Sequence, residues 1–164
     1  MSAPAAASVR PIAPADVPRV WDLVGELAAF EKLEDIRTGS AERLAAALFS
    51  EPPALFGRVA EVRGRIVGYA LFHFTYSSFR TNPRMWLEDL YVEPAARGTG
   101  AGAELLRAFA REALARGCHR VDWDVLEWNP ARRFYERMGA APSANGFLTY
   151  GMDAAAMRAM LGET

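Results

Sequence analysis

Two adjacent carboxylates, Glu88 and Asp89, sit inside the otherwise apolar run 86–92, WLEDLYV. A charge in such a strand-like segment costs free energy unless it is solvated, paired or put to use. Taking a proton from an acceptor group is one such use. Directly behind lies the turn Arg97-Gly98-Thr99-Gly100-Ala101-Gly102, whose glycines alternate just ahead of a helical pattern. Glycines let a backbone approach a ligand closely, and the first N–H groups of a helix have no partner within it. That combination suits phosphate. One short stretch thus offers an acid in a strand and an anion cradle after it.

The elements that must position these groups show as periodicities. Residues 8–12 read as a short strand. Pro14, Asp16 and Pro18 mark a helix start, and Val20, Leu23, Val24, Leu27 and Phe30 follow at helical spacing. That helix runs into the charged segment 31–35, and Gly39-Ser40 opens a second helix that Pro52-Pro53 stops. Residues 55–62 and 66–76 read as strands joined at Arg63-Gly64-Arg65, 77–84 as a loop, and 85–92 as the strand bearing the carboxylates. An amphipathic helix is predicted over 103–117, with Leu105, Leu106, Phe109, Ala113 and Leu114 in its apolar stripe. Residues 120–126 alternate as a strand. Asn129-Pro130 starts a helix carrying Phe134, Tyr135 and Met138; a last strand over 147–152 and a terminal helix capped by Asp153 follow. The sum is one α/β domain over 8–164 behind a short flexible lead, 1–7. Its sheet is predicted to be mixed, largely antiparallel, with about seven strands flanked by helices.

Composition limits the function classes. The 164 residues suffice for one domain with a real core, and 51% are hydrophobic, which argues against disorder. A net charge of −1 leaves no basic field for nucleic acid or an anionic membrane. A single cysteine, Cys118, excludes an internal disulfide framework, and with only His73 and His119 besides, no metal site is expected. No apolar run approaches about 18 residues, so no membrane span is expected. The opening segment lacks the basic start and apolar core of a secretory signal, and a cytoplasmic protein is the expectation. Cys118 reads as a structural thiol rather than a nucleophile, and His73, in an apolar strand, more readily as a core or edge histidine than as a base lining the site.

Taken alone, the glycine turn leaves phosphate binding and a plain glycine-rich loop both open. Gly98, Gly100 and Ala103 satisfy a lax dinucleotide fingerprint, with Asp122 or Asp124 beyond it. However, 93–97 separate the turn from the strand end where that fingerprint would begin. No Gly-Lys-Ser/Thr follows, so it is not a nucleoside-triphosphate loop.

The order of strand, glycine turn and amphipathic helix resembles the acetyl-CoA site of the GNAT N-acetyltransferase superfamily. The loop pattern of that superfamily is Arg/Gln-x-x-Gly-x-Gly/Ala, which Arg97, Gly100 and Gly102 fit. Within it the chain is similar to the diamine (spermidine/spermine) acetyltransferase group. The matching strings are Glu26-Leu27-Ala28 with Phe30-Glu31, Phe74-Thr75-Tyr76, Leu87-Glu88-Asp89, the glycine turn, Glu127-Trp128-Asn129, and Phe134-Tyr135 with Gly139-Ala140. The resemblance implies a GNAT-like acyl-CoA N-acyltransferase fold, acetyl-CoA as co-substrate between two splayed central strands, and a homodimer. It implies that the backbone of Leu90, Tyr91 and Val92 bonds the pantetheine arm. Arg97, Gly98, Thr99, Gly100, Ala101, Gly102 and Ala103 would take the pyrophosphate, and Asn129 would hold the CoA arm. Glu88 falls at the position of the base and Tyr135 at that of the acid serving the leaving sulfur. Phe30, Glu31, Glu88 and Asp89 match positions that bind a cationic amine, with Glu34 and Asp35 adding to the field.

Each assignment has a plainer counterpart. Glu88 could be a strand carboxylate paired with an arginine, and Tyr135 a core aromatic beside Phe134. Asn129 could be a helix N-cap, and 31–35 a solvated helix end. One departure bears on the acceptor. After Phe74-Thr75-Tyr76 the diamine enzymes commonly continue Asp-Pro-Trp, whereas this chain reads Ser77-Ser78-Phe79. An acid is missing there, which leaves room for a shorter amine. The expected function is acetyl transfer from acetyl-CoA, by direct attack, to a primary amine of a small cationic polyamine, diamine or lysine analogue. Protein lysines or N-termini are the alternative acceptors, and a non-catalytic acetyl-CoA-binding module is the competing class.

Overall fold

The computed structural model describes residues 6–143 and 146–162, so most of the expected lead 1–7 lies outside the described residues. The chain divides into two compact units, Met1–Arg132 and Arg133–Thr164. The first holds a five-stranded sheet in the order β1-β2-β3-β4-β5. Strands β1 (Ser8–Pro11), β2 (Phe56–Val62), β3 (Arg65–Ser77) and β4 (Asn82–Val92) are antiparallel neighbours, and β5 (Val121–Asp122) runs parallel to β4.

The sheet is mixed and largely antiparallel, as expected, but among the described residues it has five strands rather than about seven. The predicted strand 120–126 keeps only β5, because β4 supplies ladder partners only at Met85 and Trp86. The predicted strand 147–152 forms no ladder among the described residues. A strand without a partner leaves its backbone groups to solvent. The predicted loop 77–84 shrinks to a tight turn, since β3 and β4 stay paired out to Ser77 opposite Asn82 and Thr81 turns left-handed at φ 47°.

Helices cover both faces of the sheet. Helix α1 (Val17–Glu31) and helix α2 (Ala41–Phe49) lie on one face, where Val17, Val20, Leu23 and Leu48 join Ile12, Val59, Ile66, Tyr69, Leu71 and Tyr91 in a core. Each such side chain, once buried, contributes roughly 1.5–3 kcal/mol. Helix α3 (Ala101–Ala115) lies on the other face, with the Phe109 ring edge-on to Phe72 at 5.4 Å. It starts two residues before the predicted 103, because Ala101 and Gly102 complete its first turn. Gly68 lets β3 and β4 meet: a Cβ there would stand 2.6 Å from the Tyr91 carbonyl oxygen.

Helix α4 (Ala131–Arg137) crosses the boundary between the units. In the second unit helix α5 (Ala154–Leu161) is capped as expected, the Asp153 carboxylate accepting from the Ala156 N–H at 2.8 Å.

Candidate active site

The β3–β4 ladder pairs Leu71 with Asp89 but Phe72 with Leu87, so Glu88 is the extra residue of a β-bulge. Strict alternation would send Glu88 and Asp89 to opposite faces. The bulge defeats it. Asp89 lies on the α1 face with Leu71 and Tyr69. Glu88 Oε2 stands 3.6 Å from Nε2 of His73, which alternation places on that same face. Among the described residues Glu88 pairs with no arginine; its ionic neighbour is this histidine, and both side chains reach solvent.

Asp89 is mostly enclosed, and its Oδ2 accepts from the Tyr69 hydroxyl at 3.2 Å. Burial pushes its carboxyl up to about 6, the charges of Glu88 and Glu31 add to the rise, and the Tyr69 hydrogen bond opposes it. Tyr69 itself is fully buried, and its hydroxyl is held well above the usual phenol range, chiefly by burial and then by Asp89.

Glu31 reaches this cluster from the end of α1. The helix stops immediately after it, because Lys32 turns left-handed at φ 59°. Burial raises the Glu31 carboxyl, while the Asn129 amide opposes the rise by donating to Oε1 at 3.4 Å. Phe30 lies beside Trp128, ring centroids 5.7 Å apart. The expected acceptor residues Phe30, Glu31, Glu88 and Asp89 are therefore drawn from two elements to one side of the sheet. Three carboxylates there favour a cation. Glu34 and Asp35 are exposed in the short turn Glu34–Ile36.

The expected donor side is backbone. From Leu87 to Val92 the outer edge of β4 has no paired strand among the described residues, since β5 pairs only with Met85 and Trp86. An extended arm can lie along that edge as a strand would. The chain then leaves β4 through Glu93, whose buried carboxylate pairs with Arg19 at 2.6 Å and with Arg65. This anchor fixes where the loop begins. Gly98 and Gly100 are left-handed at φ 85° and 87°, and a Cβ added at either would meet nothing within 4 Å. The loop thus borders open space, and α3 presents its first N–H groups behind it. These features fit a bound pyrophosphate. Arg97 does not extend away from the fold. Its guanidinium lies over Phe30 at 5.4 Å and Tyr91 at 5.9 Å, and its Nε donates to the Val92 carbonyl at 3.2 Å.

Asn129 uses both ends of its amide. Oδ1 accepts from the Ala131 N–H at 2.9 Å, and Nδ2 reaches Glu31, so it caps α4 and touches the acceptor cluster. Tyr135 belongs to the second unit, where its ring lies 5.2 Å from Phe134. Tyr69 was not among the expected site residues. Its one signal in the sequence is a tyrosine inside an apolar strand, whose hydroxyl needs a partner once buried.

Comparison with known proteins shows the family. Residues 21–140 match the acetyltransferase (GNAT) family. The chain is 35% identical over 159 residues to thialysine N-epsilon-acetyltransferase of Bos taurus, covering 90% of this chain and 93% of that one. It is 35% identical over 133 residues to spermidine/spermine N(1)-acetyltransferase-like protein 1 of Homo sapiens, covering 76% of this chain and 19% of that protein. An integron cassette protein from the mobile metagenome of V. cholerae shares the fold, with a TM-score of 0.76 at 23% identity over 95% of this chain and 98% of that one. The glycine turn, the open edge of β4 and the bulged carboxylate strand thus belong to a GNAT-family N-acetyltransferase, an enzyme that draws its acetyl group from acetyl-CoA.

Proposed function

We propose that the chain acetylates the terminal primary amine of a small cationic substrate of the lysine-analogue or short-diamine type. The observation that carries this reading is that Glu31, Glu88 and Asp89 lie on one face, close enough for the charges of Glu88 and Glu31 to raise the Asp89 carboxyl. Similarity to a thialysine acetyltransferase over most of both chains supports it. So does the sequence Ser77-Ser78-Phe79, which offers no further acid where a longer polyamine would need one.

In this reading the ammonium is held by Asp89 and Glu31. A free amine with a pKa near ~10.4 arrives protonated, so a base must act first. Glu88 takes one proton, directly or through a water. The neutral amine attacks the thioester carbonyl, forming the C–N bond, and the C–S bond then breaks. Tyr135 donates a proton to the departing sulfur. The nitrogen of the tetrahedral adduct then loses a second proton, which restores the Tyr135 hydroxyl. Of the three ammonium protons, one thus stays on the amide, one replaces the proton given to the thiol, and one leaves by way of Glu88. The backbone of Leu90, Tyr91 and Val92 bonds the pantetheine arm. The loop from Arg97 to Ala103 takes the pyrophosphate, and Asn129 steadies Glu31 at the junction of donor and acceptor.

The family match runs from 21 to 140 and includes the proposed acid, Tyr135. The exposed apolar side chains Phe147, Leu148, Tyr150, Met157 and Met160 support a homodimer. The lone free thiol, Cys118, suits a cytoplasmic setting.

The test is CoA-thiol release with thialysine, lysine, ornithine, putrescine, spermidine, spermine, an aminoglycoside and a basic peptide. Thialysine or a short diamine should give the highest kcat/KM. A basic peptide outrunning every small amine would overturn the assignment.

A further inference from the structure

One proton per turnover must pass from Glu88 to bulk water, and the residue beside Glu88 is suited to carry it. We propose that His73 is the proton outlet of the base, receiving the proton from Glu88 and releasing it to solvent. This inference rests on Glu88 being the base.

The geometry is specific. His73 Nε2 lies 3.6 Å from Glu88 Oε2, with 35% and 55% of the two side chains exposed. That separation exceeds a hydrogen bond, and apo catalytic contacts commonly tighten when substrate is bound. His73 sits opposite Trp86 on β3–β4, on the face it shares with Glu88, Asp89 and Tyr69. The same face also carries Tyr91 and, nearer His73, Arg84 opposite Thr75 and Asp122 opposite Trp86, whose charges pair with each other. Asp89 is a poor outlet, because it is enclosed and already accepts from the buried Tyr69 hydroxyl. Imidazole suits the task, having a lone pair on one nitrogen and a proton on the other.

The step balances without any further reagent. The Glu88 O–H bond breaks as Nε2 gains the proton. The imidazolium then loses its Nδ1 proton to water and is neutral again as the other tautomer. Exchange with water, or a ring flip, resets it.

The test compares wild type, His73→Gln and Glu88→Gln in about 1 mM buffer and again with added imidazole, following thiol release, with acetyl-CoA binding measured on each sample. In dilute buffer His73→Gln should lose about 10-fold or more in kcat with little change in either KM, and imidazole should restore most of the loss. Wild type should not respond to imidazole. A purely structural role for His73 would not be rescued by a diffusing base. His73→Asn replaces His73→Gln if the latter no longer binds acetyl-CoA. Undiminished kcat in dilute buffer, or a loss that imidazole leaves in place while acetyl-CoA binding is intact, overturns the proposal. Glu88→Gln should stay inactive in both buffers. If it turns over normally, the base assignment fails first, and the outlet fails with it.

Discussion

In the proposed site the donor and acceptor halves are built by different means. The donor half is backbone: the open edge of β4, two left-handed glycines, and the N-terminus of α3. The acceptor half is side chains: Glu31 from a helix end, Glu88 and Asp89 from a bulge, with Tyr69 and His73 on the neighbouring strand. A backbone site tolerates most substitutions except those that change φ or fill the space before it. A side-chain site is altered by single atoms. The two halves should therefore fail separately, and in different kinetic constants.

The largest expected effect is on the acceptor side. Glu88→Gln should lower kcat by roughly 100-fold or more, the usual scale for losing a general base. The sharpest break on the donor side is Gly100→Val. A β-branched residue held at φ 87° is strained by about 1–3 kcal/mol, and its side chain enters the space before the loop. The KM for acetyl-CoA should rise about 10-fold or more by that scale, with the amine KM little changed.

Asp89→Asn probes both recognition and stability. Below about 6 the Asp89 carboxyl is neutral, so the amine KM of wild type should climb as pH falls through that value, and the variant should flatten the climb. The sign for stability runs the other way from an ordinary ion pair. The carboxyl rises from 3.8 to about 6 on folding, so the folded chain binds its proton more tightly than the unfolded chain does. The cost of ionising it appears as pH rises from 3.8 to about 6 and persists above. Asp89→Asn should therefore be more stable than wild type at pH 7, by at most about 3 kcal/mol, and the gain should vanish near pH 4. Denaturant midpoints across pH would show it. The smallest effect is Tyr69→Phe. Losing the hydroxyl removes a bond that favours ionised Asp89, so the pH below which the amine KM climbs should move upward, by a fraction of a unit to about one unit.

This contrast also explains what the sequence could disclose. Backbone features leave a composition signature, so Gly98, Gly100 and Gly102 ahead of an amphipathic helix pointed to the expected donor loop, and the apolar runs of β3 and β4 marked them as strands. The bulge left no such mark. Nothing in WLEDLYV signals that Leu87 and Asp89 are paired with consecutive residues of β3, and alternation alone separates the two carboxylates. Tyr69 was hidden for the same reason, and His73 was visible only as a histidine in an apolar strand, because their surroundings depend on which β4 residues lie beside them. The strand expected over 147–152 had the right residue types, but types cannot report whether a partner is present.

The most direct test of a separable site is to titrate acetyl-CoA into Glu88→Gln by calorimetry and measure thiol release on the same sample. The account predicts a Kd within about twofold of wild type alongside a kcat lower by roughly 100-fold or more. A loss of acetyl-CoA affinity as large as the loss of turnover would contradict it and return Glu88 to a structural role in the strand.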